Sequence, residues 1–372
     1  MREPRALDQF HPADRPGGAD QVHHQGATAG TGGQGLPSGH APPPSRLAVR
    51  CRTTTLSGDG AGEPEGSMSG APSRGTGATP GGAAARPGPG EGTGAGAVGL
   101  ALVRDAEVLG SEPFFHEFIA GMERVLVPRG MPVLLQVIAT VEQAAERMRS
   151  WAALGQVAGV ILIDLLPGDE RIGLVRSLGL PAVVIGDPET AAGLPAVWTQ
   201  DDVAMRDVVG ELVAAGHHRL GHVRGPAEMA HTIIRRETFV AAAREHGART
   251  TCFDGDYSEA AGREAVERLV RLRAAERPTA LVFDNDVMAL GALHAAQRHG
   301  IGVPGDVALV AWDDSALCQL AAPPLSAVSH DVQELGELVA DVMLETLAAG
   351  PEPGAARVET AAPVRLVVRG GL

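Results

Sequence analysis

Residues 278–314 read PTALVFDNDVMALGALHAAQRHGIGVPGDVALVAWDD, and this run decides the fold. An apolar strand pattern at 280–283 stops at Asp284, Asn285 and Asp286, and helix-spaced apolar residues follow over 287–298. A Val-Pro turn then returns the chain to an apolar strand pattern at 307–311, ending in Trp312 and the paired Asp313 and Asp314. Strand, crossover helix and strand in this order make a βαβ unit with parallel strands.

The same rhythm extends outward in both directions. Upstream, strand patterns fall at 97–103, 131–137, 157–163 and 181–185, with helical stretches at 114–127, 141–154 and 170–178 between them. A second series begins with a helix at 203–215, a strand at 220–223 and helices at 234–246 and 259–273, and runs into the opening stretch. Two successive series predict an α/β chain of two doubly wound parallel-sheet lobes with a ligand cleft between them. A helix at 332–348 and an apolar stretch at 358–368 remain over, which suggests that the chain crosses between lobes more than once.

Composition sets residues 1–95 apart. They hold 21 of the 49 Gly and 12 of the 27 Pro, so about a third of the segment cannot contribute to a core, and it is expected to be disordered. The formal charge of −14 lies wholly beyond it, because residues 1–95 carry 8 Arg against 8 acidic residues. An acidic folded part argues against nonspecific nucleic-acid binding by that part. Cys51, Cys252 and Cys318 share no metal or redox spacing and read as reduced thiols. No signal peptide or membrane-length apolar run is visible, so a cytoplasmic protein without a membrane partner is expected.

Several segments resemble the sensor domain of the LacI/GalR family, and together they span residues 97–372. The opening run is similar to that family's strand, Asn-Asp, Met-Ala-Leu-Gly helix, Val-Pro turn and Asp-terminated strand. AAPPLSAVSHD (321–331) is similar to its Pro-Pro-Leu crossover, SEPFFHEFIAGME (111–123) to its Asn-Pro-Phe-Phe helix start, and AAGHHRLGHVRG (214–225) to its Leu-Gly-His-Arg-Arg-Ile strand entry. RRETFVAAAREHG (235–247) matches the Arg-x-x-Gly-Phe helix with Thr238 in place of Gly.

The resemblance implies a periplasmic-binding-protein-like fold of type I, with a first lobe of about 97–196 plus 330–348 and a second of about 198–328 plus 355–372. It implies a ligand-responsive transcriptional regulator, in this family most often a homodimeric repressor of operator DNA, with no cofactor and no enzymatic activity. The ligand residues it implies are Arg235, with Asn285 and Asp313 facing it, Tyr257 as a stacking aromatic, Phe114 and Phe115 at the first-lobe rim, and His231 and His330. The chemistry agrees: a carboxylate accepts from adjacent hydroxyls, Arg donates in a fork, and an aromatic face covers a sugar ring or base. A sugar or nucleoside-like ligand suits that set.

The family's helix-turn-helix is not recognisable in residues 1–95, where Gly and Pro interrupt every candidate helix. Translation from another frame or start, a sensor that has lost its DNA reader, and a reader replaced by a tail all fit, the composition favouring the first. The alternative to a regulator is a periplasmic-type solute-binding protein, or a stand-alone sensor. GTGAGAVG (92–99) precedes the first strand and reads as linker, not as a phosphate-binding loop. His217, His218 and His222 flank a strand, whose neighbours point to opposite faces, and read as structural and not as zinc ligands.

Overall fold

The alternating runs become two six-stranded sheets in a computed structural model, which describes residues 96–104, 106–350 and 357–372. The expectations for residues 1–95 lie outside the described residues. The first series supplies β1 (Ala97–Val103), β2 (Val133–Ile138), β3 (Val157–Leu162), β4 (Ala182–Ile185) and β5 (Ala196–Trp198). The second supplies β6 (Arg219–Arg224), β7 (Arg249–Asp254), β8 (Ala280–Phe283), β9 (Ala308–Trp312) and β10 (Ser326–Ser329). The final segment adds β11 (Val358–Thr360) and β12 (Arg365–Val367).

The sheet orders are β11-β5-β4-β3-β1-β2 and β12-β10-β9-β8-β6-β7. Only the β10–β12 pair is antiparallel among the described strands. Helices cover both faces of each sheet, which is why the central strands are apolar without alternation: β8 and β9 are buried throughout. On the first sheet, one face packs on Phe118, Met122 and Val339 and the other on Trp151 and Met148.

The expected lobe boundaries need one correction. The stretch 355–372 is expected whole in the second lobe, yet β11 pairs with β5 in the first sheet, Val358 opposite Ala196 and Thr360 opposite Trp198. Only β12 joins the second sheet, Ala327 opposite Val367. The edge of each sheet thus gains a ladder from the last stretch of chain. Three segments cross between lobes, after β5, after β10 and between β11 and β12.

Strands β5, β7 and β10 had no counterpart in the sequence reading. β5 and β10 have three and four residues, and Arg249–Asp254 (RTTCFD) mixes polar and apolar residues at a sheet edge. The longer helices follow the expected periodicity, with Asn285 capping Asp286–Arg298 by accepting from the Met288 amide at 2.9 Å. The short helices Ala106–Ser111, Pro188–Ala191 and Ala316–Leu320 are too brief to show one and have no counterpart in the sequence reading. Cys318 is a buried free thiol, whereas Cys252, against expectation, is not free.

One helix pair in each lobe meets backbone to backbone through glycine. A Cβ at Gly121 would enter the carbonyl of Gln333, and one at Gly336 would enter that of Phe118, so Pro113–Leu126 lies directly on Val332–Ala349. In the second lobe Gly262 faces the Met288 carbonyl and Gly291 the Glu259 carbonyl. These contacts admit no side chain. They fix the amino ends of Pro113–Leu126 and Asp286–Arg298, where Glu112, Phe114, Phe115 and Asn285 sit.

Candidate functional site

The carboxyl ends of the parallel strands from both sheets converge on one cavity. Arg104 follows β1, Asp164 follows β3, Gly186 follows β4, Thr199 and Asp201 follow β5, Asp284 and Asn285 follow β8, and Asp313 follows β9. This is where open α/β sheets place ligands. The cavity holds about 100 Å³ of free space, several times the ~10–15 Å³ that one water needs. All eight residues named from the sequence line it: Phe114, Phe115, His231, Arg235, Tyr257, Asn285, Asp313 and His330.

Backbone strain concentrates at the same place. Among the described residues, five non-glycine residues have positive φ, and Asp164 (54°), Tyr257 (70°) and Asp313 (71°) line the cavity while Gln200 (54°) adjoins it. Such conformations cost of order 1–3 kcal/mol each and persist where the surroundings impose them.

In the second lobe, Arg235 Nε and Nη2 donate to Asp201 Oδ1 at 2.9 and 2.8 Å, and Nη1 donates to the Asp284 carbonyl at 3.2 Å. Its guanidinium also lies 4.0 Å from the centre of the Trp312 ring. Trp312, the last residue of β9, is buried and forms the floor under Arg235. Asp284 accepts from the Gly225 amide at 2.9 Å and lies 2.8 Å from His222 Nε2. Burial pushes the Asp284 carboxyl up, but His222, Arg235 and the amide outweigh it and hold it below the usual carboxylate range. His222 thus serves Asp284, while His217 Nδ1 lies 2.9 Å from Thr279 Oγ1.

Asp313 contrasts with Asp284. Burial pushes its carboxyl up to about 7; Arg235 opposes the rise, and Glu112, Asp201 and Glu117 add to it. Asp313 Oδ1 lies 3.2 Å from His330 Nε2, out of line for a hydrogen bond, and neither that oxygen nor either His330 ring nitrogen has a hydrogen-bond partner. Burial pushes His330 down to about 4. His231 is also lowered, by burial and then by Arg235.

The first lobe contributes a chain of charges that the sequence reading did not nominate. Arg104 Nε donates to Glu112 Oε2 at 3.2 Å, and Nη2 lies 3.2 Å from Asp164 Oδ2. Arg104 also reaches the second lobe, its guanidinium 4.5 Å from the centre of the Tyr257 ring. Asn285 Nδ2 donates to Glu112 Oε1 at 3.3 Å and to the Tyr257 carbonyl at 3.0 Å. The Ala230 amide donates to the Leu165 carbonyl at 2.8 Å, so the lobes touch directly around the cavity.

Two of the named residues are placed differently from the sequence picture. Tyr257, expected to offer a ring face, has one face under Arg104, packs so closely on Gly225 that a Cβ there would enter its ring, and sets its hydroxyl 2.7 Å from His231 Nε2. Asn285 has its amide and carbonyl committed to the cap, Glu112 and Tyr257. Phe114 stacks on Phe118 and meets His330 edge-on. Arg104, Asp164 and Asp201 each stand just beyond a strand end, the one sequence signal that could have marked them.

Fold and cleft define a two-lobed, periplasmic-binding-protein-like domain, and residues 209–371 match the model of the periplasmic binding protein-like domain family. The HTH-type transcriptional repressor CytR of Escherichia coli is 32% identical over 240 residues, covering 63% of this chain and 70% of CytR. The HTH-type transcriptional regulator CelR of Thermobifida fusca is 28% identical over 282 residues, 73% of this chain and 78% of CelR. The solved structure of a LacI family transcriptional regulator from Bifidobacterium animalis subsp. lactis superposes with a TM-score of 0.66 at 30% identity, covering 74% of this chain and 96% of that one. The chain belongs to the LacI family of transcriptional regulators. These relatives are regulators, not enzymes, and no helix among the described residues is long and apolar enough to cross a membrane.

Proposed function

We propose that the chain senses a small polar ligand, of sugar or nucleoside class, in the inter-lobe cavity and thereby controls operator DNA binding as a homodimer, in the manner of a repressor. The observation that carries this reading is the convergence of all eight named residues on a single cavity lined by both lobes. Arg235, held by Asp201 and resting on Trp312, and Asp313 are the principal ligand groups. A ligand spanning the lobes favours one closure angle over another, and the dimer converts that preference into a difference in DNA affinity.

The test is thermal stabilisation by a panel of sugars and nucleosides. At least one is expected to raise the melting temperature of the wild type, and Arg235→Ala and Asp313→Ala are each expected to abolish that rise while the unliganded variants still melt cooperatively. Unchanged stabilisation in both variants rules out this pocket.

A further inference from the structure

The polar balance of the cavity says more about its ligand than the ligand-residue set does. Five carboxylates line it: Glu112, Asp164, Asp201, Asp284 and Asp313. Only two guanidinium groups face them, and both are already engaged, Arg104 by Glu112 and Asp164 and Arg235 by Asp201. Asp284 is answered by His222. No cation among the lining residues is left to receive a phosphate or carboxylate.

The polar atoms that are left over point the same way. Asp164 Oδ2 and Asp313 Oδ1, one from each lobe, are buried without a hydrogen bond; Asp164 Oδ2, on a side chain 8% exposed, has only its ion pair with Arg104 Nη2 at 3.2 Å, and Arg104 is shared with Glu112. In their ionised forms both atoms accept only, so a partner must donate. A buried carboxylate oxygen without a donor is costly, and a ligand that supplies one recovers that cost on binding. The histidines do not supply positive charge at neutral pH, since His231 and His330 are both lowered.

We propose that the cavity selects a hydroxylated small molecule carrying a protonated amine, held between Asp164 of the first lobe and Asp313 of the second, and that it rejects phosphorylated or carboxylated forms. This rests on the reading of the cleft as the ligand site and narrows its ligand class to amino sugars and amine-bearing nucleosides. The ammonium supplies three donors and the charge that the cavity lacks, and an added anion would face carboxylates on every side. Burial is the main cause of the raised Asp313 carboxyl and the neighbouring Glu112 and Asp201 carboxylates add to it, so an ammonium placed beside Asp313 would draw it back to its ionised form.

The experiment compares matched sets by thermal shift and calorimetry on the full chain, at a pH where the amines are protonated. The sets are glucose, glucosamine and glucose 6-phosphate, and adenosine, 5′-amino-5′-deoxyadenosine and adenosine 5′-phosphate. In the set that binds, the amine is expected to bind at least about tenfold more tightly than its neutral parent, about 1.4 kcal/mol, and the phosphate not at all. Asp164→Asn, which suits the positive φ at that position, is expected to close most of the gap between amine and parent; Glu112→Gln gives a second neutralisation should that variant fold poorly. Equal binding of parent and amine, or preferred binding of a phosphate, overturns this inference and leaves the cleft as a sugar or nucleoside site. Binding of none of the six overturns it together with the ligand class proposed above.

Discussion

Asp313 gives the sharpest quantitative prediction. The carboxyl is pushed from 3.8 to about 7, chiefly by burial, so the folded protein holds its proton more tightly than the unfolded chain does. The stabilisation this brings is fully present below the unfolded value of about 4 and is lost as the pH rises towards about 7. Carrying the carboxyl over that range corresponds to at most about 4 kcal/mol, and relaxation around the site reduces it. Asp313→Asn keeps the shape, tolerates the φ of 71° and cannot ionise. The variant should therefore match the wild type at about pH 4 and exceed its stability at about pH 8 by ~2–4 kcal/mol. Urea midpoints of both proteins, compared at equal m across that range, measure the difference. Titrations shared by both proteins cancel, apart from that of Asp286, itself raised to about 7 by burial and then by Asp313. A variant less stable than the wild type at every pH would refute the reasoning, because it would mean that Arg235 holds Asp313 ionised.

Three further outcomes follow from the packing and charge network. Gly291→Ala drives a methyl group into the Glu259 carbonyl and should lower stability by about 3 kcal/mol, the upper end for overpacking, seen as a shift in denaturation midpoint. His222→Ala leaves the buried Asp284 carboxylate without its histidine and should cost about 3–5 kcal/mol, whereas His222→Gln, which can still donate, should recover part of it. Arg104→Ala removes the guanidinium that bridges Glu112, Asp164 and the Tyr257 ring, so the unliganded protein should spend more time with its lobes apart, read as a larger radius of gyration by X-ray scattering.

The division of the chain into two α/β series was legible because parallel strands covered on both faces leave continuous apolar runs, as in β1, β3, β8 and β9. Strands that lean on their neighbours were not. β5 and β10 are too short to carry a pattern, and Arg249–Asp254 sits at a sheet edge where Arg249 and Asp254 are exposed. The placement of β11 in the first sheet depends on pairing with β5, which no local pattern encodes. In the site, the residues within recognisable motifs were nameable in advance. Arg104, Asp164 and Asp201 belong to no motif and acquire their surroundings only when strand ends far apart in sequence meet. The commitment of Tyr257 to Arg104 and Gly225 likewise exists only once the lobes face each other.

The most direct measurement is the structure of the protein bound to whichever sugar or nucleoside most raises its melting temperature. That molecule is expected inside the inter-lobe cavity, touching Arg235 and Asp313 from the second lobe and Asp164 from the first. A ligand bound at any other surface, with these three residues still in their present contacts, would contradict this reading of the cavity.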